Sequence, residues 1–199
     1  MHGGVDRGIE REEYGMKVLV AYASRHGSTR GIAERVAEVL AAAGQSVESR
    51  AVEDVDDLAG YDAFVIGGAV YMFHWLKPMS RFLRRNREVL AERPVWLFSS
   101  GPLGTEMTDA QGRDVLEVSG AKEAKEVEAA IHPRGHRMFF GAYSAGKPVG
   151  LAERFVARMP AARDAMPEGD FRDWDAIEAW AGDIARELEG SAASDAPRP

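Results

Sequence analysis

Short apolar runs, rich in β-branched residues, alternate along this chain with segments whose apolar positions recur every three or four residues. The runs Lys17–Ala23 (KVLVAYA), Ser46–Ala51, Ala63–Gly67, Val95–Ser99 and Arg137–Ala142 read as strands. Helical spacing marks Thr29–Ala43, Lys77–Ala91, Ala121–Ala130, Gly150–Met159 and Trp174–Leu188. In the first of these helices Ile32, Val36, Val39 and Leu40 share a face; in the last, Ile177, Trp180, Ala181, Ile184 and Leu188 do so. Gly44 stands where a helix closes, and Asp173 where the last one is capped. The stretch Gly101–Gly120 has no clear period and predicts a long loop. Such alternation is the signature of βαβ units in an open, doubly wound α/β sheet. In these folds ligands bind beyond the carboxyl ends of the strands, near the switch in strand order.

Composition narrows the field. With 199 residues and 45% hydrophobic content, the chain can form one α/β domain with a full core. Residues 1–15 read as a flexible extension, 16–189 as the domain and 190–199 as a disordered tail. A net charge of −7 argues against general nucleic-acid binding. The absence of cysteine removes disulfides, thiolate metal sites and cysteine nucleophiles, and fits a reducing cytoplasm. No apolar run approaches the roughly 18 residues of a membrane span. Residues 1–15 (MHGGVDRGIEREEYG) lack the apolar centre of a signal peptide.

Three loops carry candidate chemistry. After the first strand come Ser24, Arg25, His26, Gly27, Ser28 and Thr29, dense in hydroxyls at a helix N-terminus. Free amides and the helix dipole make that end an anion site; equally, Ser or Thr there can simply cap the helix. It is neither a Walker loop nor a G-x-G-x-x-G turn. After the third strand come Ala69, Val70, Tyr71, Met72, Phe73, His74 and Trp75, whose aromatic content suits either packing on the domain or covering a flat ligand. His74 is a candidate hydrogen-bond donor near a ring or substrate, or an ordinary loop histidine. After the fourth strand Ser99, Ser100, Gly101, Pro102 and Leu103 allow close backbone approach, as a plain turn would also require.

A phosphate loop, an aromatic loop and a Gly/Ser loop on one rim suit a flat ring with a phosphate tail. Flavin mononucleotide (FMN) has that shape. Over residues 17 to about 188 the chain resembles the flavodoxin superfamily: Ser24-x-x-Gly27-x-Thr29 resembles its phosphate loop, Gly67-Gly68-Ala69 its second flavin loop and Ser99-Ser100-Gly101 its third. Within it, the chain most resembles menaquinone-dependent protoporphyrinogen IX dehydrogenases and their flavodoxin-domain relatives. The residues concerned are Arg25, the run Thr29-Arg30-x-Ile32-Ala33, His74, Gly141-Ala142, Arg154-Phe155 and Asp173-Trp174. It departs from ordinary flavodoxins at His26, where a hydroxyl or amide residue is usual. It departs from the porphyrinogen enzymes in the charged, Pro160-containing segment Glu153–Met166.

The resemblance implies a flavodoxin-like sheet of five parallel strands, in the order 2-1-3-4-5, with bound FMN. It also implies oxidoreductase chemistry toward a quinone-like or porphyrinogen-type small molecule, with peripheral membrane contact compatible. The alternative is a non-catalytic electron carrier serving a redox protein, linked to a deazaflavin (F420) donor. A receiver domain would need a carboxylate cluster where Ala21-Tyr22-Ala23-Ser24 stands, and a low-molecular-weight tyrosine phosphatase needs a cysteine. An accessible pocket for a second substrate is what separates enzyme from carrier.

Overall fold

The computed structural model describes residues 15–144 and 167–195. β1 (Lys17–Ala23) lies between β2 (Ser46–Ala51) and β3 (Ala63–Tyr71), and β5 (Val95–Ser100) and β6 (Gly135–Phe139) extend the sheet beyond β3. All these pairings are parallel and the order is β2-β1-β3-β5-β6. This is the expected order, with one addition: a short antiparallel strand, β4 (His74–Trp75), folds back on β3. The aromatic stretch after the third strand is therefore a hairpin, and its first arm continues β3 to Tyr71.

Side chains alternate across the strands and so build two cores. Leu19, Phe64, Ile66 and Leu97 face α2 (Lys77–Arg85), α3 (Arg87–Ala91) and α5 (Ala124–Ile131). Val18, Val20, Val65 and Phe98 face α1 (Ser28–Ala42) and the C-terminal helix α6 (Trp174–Asp195). Gly67 and Gly68 sit inside β3 for packing reasons. A Cβ at Gly67 would lie 1.9 Å from Phe98 Cζ, and one at Gly68 would lie 2.9 Å from both Trp75 Cδ1 and Met79 Cγ.

Several boundaries differ from the sequence expectation. The second helix breaks at Asn86, which bonds the Phe82 carbonyl through both its amide (3.1 Å) and its side chain (2.9 Å). The long loop contains a short helix, α4 (Val115–Val118), capped by Asp114, whose carboxylate accepts from the Leu116 and Glu117 amides. β6 spans Gly135–Phe139, not Arg137–Ala142, because the chain then turns: the Gly141 amide donates to the Pro102 carbonyl at 2.8 Å. Ala142–Tyr143 (β7) pairs antiparallel with Gly169–Asp170 (β8).

α6 runs to Asp195, past the expected end at Leu188, and Ser191 Oγ donates to the Glu187 carbonyl at 3.0 Å along the way. Asp173 caps it as expected, accepting from the Ala176 amide at 2.9 Å. Gly44 closes α1 at φ 86°, with the Gln45 amide returning to the Leu40 carbonyl at 3.1 Å in a Schellman arrangement. The expected helix at 150–159 lies outside the described residues. Among those described, no helix is long and apolar enough to cross a membrane.

Candidate functional site

The chain leaves β1 at Ala23 and enters α1 through a turn closed by Gly27, at φ 86°, whose amide donates to Ser24 Oγ at 3.1 Å. The first intrahelical bond runs from the Gly31 amide to the Gly27 carbonyl (2.9 Å). The amides of Ser28, Thr29 and Arg30 thus precede the helical ladder. No side chain caps this end and the first turn carries no acidic residue. Of the two readings of this loop, capping is the one the geometry does not bear out.

The hydroxyls are instead tied to neighbouring loops. Ser28 Oγ accepts from the Ala142 amide at 2.8 Å, and buried Thr29 Oγ1 shares a 2.9 Å bond with Ser100 Oγ. A hydroxyl that accepts keeps its own proton to donate. Ser24, Ser28 and one member of the Thr29–Ser100 pair therefore retain O–H donors beside the free amides.

These groups form one end of a cavity of about 270 Å³ at the carboxyl ends of β1, β3, β5 and β6. Ala69, Val70, Tyr71 and Met72 supply a second wall, Gly101 and Leu103 a third, and Gly141, Ala142 and Tyr143 a fourth. The His26 ring lies near both Tyr71 and Tyr143, at centroid distances of 6.4 and 5.9 Å. The Arg25 guanidinium lies 5.4 Å from the centre of the Tyr71 ring. The third wall fits flush against the second: a Cβ on Gly101 would come within 3.0 Å of the Val70 carbonyl oxygen. An adjoining cavity of about 620 Å³ shares His26, Ser28, Ala142 and Tyr143 with the first.

Most residues singled out from the sequence line the first cavity: Ser24, Arg25, His26, Ser28, Thr29, Ala69, Val70, Tyr71, Met72, Ser100, Gly101 and Leu103. Gly27 shapes the turn and borders the adjoining cavity. Pro102 contributes its carbonyl to Gly141. Phe73 sits at the hairpin tip, half exposed. His74 is exposed and bonds Glu123 through Nδ1 at 3.0 Å, away from the cavity lining.

Trp75 and Ser99 are buried on the other face of the sheet. There Trp75 Nε1 donates to Ser99 Oγ (2.8 Å), Ser99 Oγ bonds His136 Nε2 (2.9 Å), and His136 Nδ1 bonds Glu128 (2.6 Å). Sequence reading passed over Tyr143 and did not assign Gly141 or Ala142 to the site. The signal was an aromatic residue following a glycine at the carboxyl end of the last strand.

The hairpin is held from outside. Glu123 accepts from the Trp75 amide at 2.9 Å, from Ser80 Oγ at 3.3 Å and from His74. Partial burial raises the Glu123 carboxyl, but hydrogen bonds from its own amide, the Trp75 amide and His74 outweigh that and leave it below the usual carboxylate range. Asp170 is also lowered, first by its hydrogen bonds from Arg172 and against the effect of burial.

A doubly wound sheet whose cavity joins a helix N-terminus without a side-chain cap to an aromatic wall has the arrangement of a nucleotide-cofactor protein. The sequence matches the flavodoxin domain family over residues 19–160, and the chain belongs to that family. FMN is the family's cofactor, and the amide and hydroxyl donors around Ser28 fit its phosphate. No curated protein matches the chain in sequence. Among solved structures, a flavodoxin from the domain Archaea aligns with a TM-score of 0.52 at 16% identity, covering 87% of this chain and 99% of that one. Flavodoxin 2 from Bacillus cereus gives 0.55 at 18% identity, covering 86% and 99%. The rubredoxin oxygen:oxidoreductase of Desulfovibrio gigas gives 0.55 at 14% identity over 89% of this chain, which spans 37% of that longer protein. At these identities the likeness is one of fold.

Proposed function

We propose that the protein is an FMN-dependent oxidoreductase that passes electrons from a reduced donor to a small quinone-like or porphyrinogen-type acceptor. The observation that carries the enzyme reading is the adjoining cavity, which shares His26, Ser28, Ala142 and Tyr143 with the cofactor cavity and offers a second small molecule a place beside its phosphate-loop end. In this reading the amides of Ser28, Thr29 and Arg30 and the hydroxyls of Ser24, Ser28 and Thr29 hold the phosphate. Val70, Tyr71, Gly101 and Leu103 border the ring, and Arg25 balances charge near it. Bound FMN supplies the redox chemistry; the protein sets orientation, access and potential. His74 serves as a positioning residue, steadying the hairpin through Glu123.

A second reading, an electron carrier for a redox protein, draws on the exposed Met72 and Phe73 at the cavity rim. Such apolar side chains suit contact with another protein.

Stopped-flow measurements on the FMN-loaded protein separate the two. Reduction would be followed with NADH, NADPH and a reduced deazaflavin, and reoxidation with menadione and a protoporphyrinogen-type compound. Turnover of a small acceptor with no protein partner supports the enzyme. Useful oxidation only by a partner protein gives the carrier, and absence of saturable FMN binding by the apoprotein removes both readings.

A further inference from the structure

Arg172 lies beyond the loops linked to the cofactor above, yet it is built against the start of α1. Its Nε and Nη2 donate to the two carboxylate oxygens of Asp170 at 2.8 and 2.5 Å, and its Nη1 donates to the Ser28 carbonyl at 3.3 Å. The guanidinium stacks 4.3 Å from the centre of the Trp174 ring, and the side chain is only 15% exposed. Its place on the helix is made by an absence. A Cβ at Gly31 would come 2.4 Å from Arg172 Nη1. Glycine is a poor helix former, so its presence in the first turn of α1 needs a reason, and the guanidinium occupying that notch supplies one.

The same frame grips the neighbouring loops. The Phe171 amide donates to the Gly141 carbonyl (3.1 Å), and the next residue, Ala142, donates to Ser28 Oγ (2.8 Å). Ser28 is thus held through its carbonyl by Arg172 and through its hydroxyl by Ala142. Because Asp170 offsets the guanidinium charge, the contribution of Arg172 is geometric: a planar fork pinned by a carboxylate and an indole face.

We propose that Arg172, seated in the notch left by Gly31, is a positioning residue for the cofactor phosphate and sets the preference for FMN over riboflavin. It does so by fixing the first turn of α1 so that the Ser28, Thr29 and Arg30 amides converge on one anion. The inference rests on the FMN reading given above.

The test measures FMN and riboflavin dissociation constants for the wild type, Arg172→Ala, Gly31→Ala and the double variant. Gly31→Ala raises helix propensity and adds its methyl against the far end of the Arg172 side chain, away from the lining of the cofactor cavity, so it retains the fold while displacing the guanidinium. Each single variant should weaken FMN by about tenfold while riboflavin changes by less than about twofold, and the double should be no worse than the poorer single, as expected of residues acting as one unit. Equal losses for both ligands, wild-type FMN affinity in Gly31→Ala, or additive losses would each overturn the inference while leaving FMN binding itself intact. A wild-type protein that binds no FMN would overturn both.

Discussion

Two turns meet at the cavity, and they accommodate unfavourable backbone angles in opposite ways. The phosphate-loop turn places its positive φ on Gly27, where no heavy atom lies within 4 Å of a would-be Cβ, so conformation alone demands glycine there. The hairpin tip places positive φ on Met72 (50°) and Phe73 (62°), side chains for which that region costs roughly 1–2 kcal/mol each. The first turn takes its angle from a residue suited to it, while Ser28 and Thr29 beyond it are tied to distant segments. The second persists because Glu123 and the Lys122 amide, which donates to the Phe73 carbonyl at 2.9 Å, hold it from a distant segment. At one wall of the site the residue itself permits the backbone angle, and at the other tertiary contact imposes it.

The largest expected effect breaks the imposed wall. Glu123→Ala removes the acceptor for the Trp75 amide, Ser80 and His74, and should cost about 3 kcal/mol in urea unfolding. The comparison also has a pH signature. The folded Glu123 carboxyl is lowered relative to an unfolded value of about 4.3. Its stabilisation is therefore complete above that value and is lost as pH falls through the folded one. Acid unfolding of Glu123→Gln should accordingly be flatter than that of the wild type; identical acid limbs would remove Glu123 from the account.

The next effect probes the phosphate-loop wall. Thr29→Val deletes one hydroxyl of the pair with Ser100 and should weaken FMN more than riboflavin, by about 2 kcal/mol. Equal losses for the two ligands would make Thr29 a packing residue only. The smallest effect relieves the hairpin. Phe73→Gly should raise stability by about 1 kcal/mol, since glycine accepts the left-handed conformation freely. A fall in stability would show that the Phe73 side chain, near Lys122, contributes more than its backbone angle costs.

The same contrast explains what the sequence made legible. Periodicity located β1 and α1, because each buries a continuous apolar face of its own, while the strand order followed from the family resemblance. The Gly27 turn was legible because glycine advertises its φ. The hairpin was not, since Met72-Phe73 carries none of the Asn-Gly or Asp-Gly signal that turns of that hand normally show. Nor was the sorting of neighbours: Ser99 and Ser100 are adjacent and chemically alike, yet strand alternation sends one to the core and the other to the cavity. Tyr143 was missed for a third reason. Its place depends on β7 pairing with β8, a contact between segments far apart in the chain.

The buried chain from Trp75 through Ser99 and His136 to Glu128 has a polarity. An indole N–H can only donate, so Ser99 Oγ accepts from Trp75, and its own proton is available to Nε2 of His136. With Ser99 donating to Nε2, a singly protonated ring would carry its proton on Nδ1, facing Glu128. A group that only donates thereby bears on a tautomer several bonds away, and nitrogen NMR of His136 tests it: an Nδ1–H form is expected, and an Nε2–H or doubly protonated ring would show Ser99 accepting from both neighbours. Since Ser100 is the next residue after Ser99, that one resonance becomes an internal reporter of whether the end of β5 stays in place when the cavity fills.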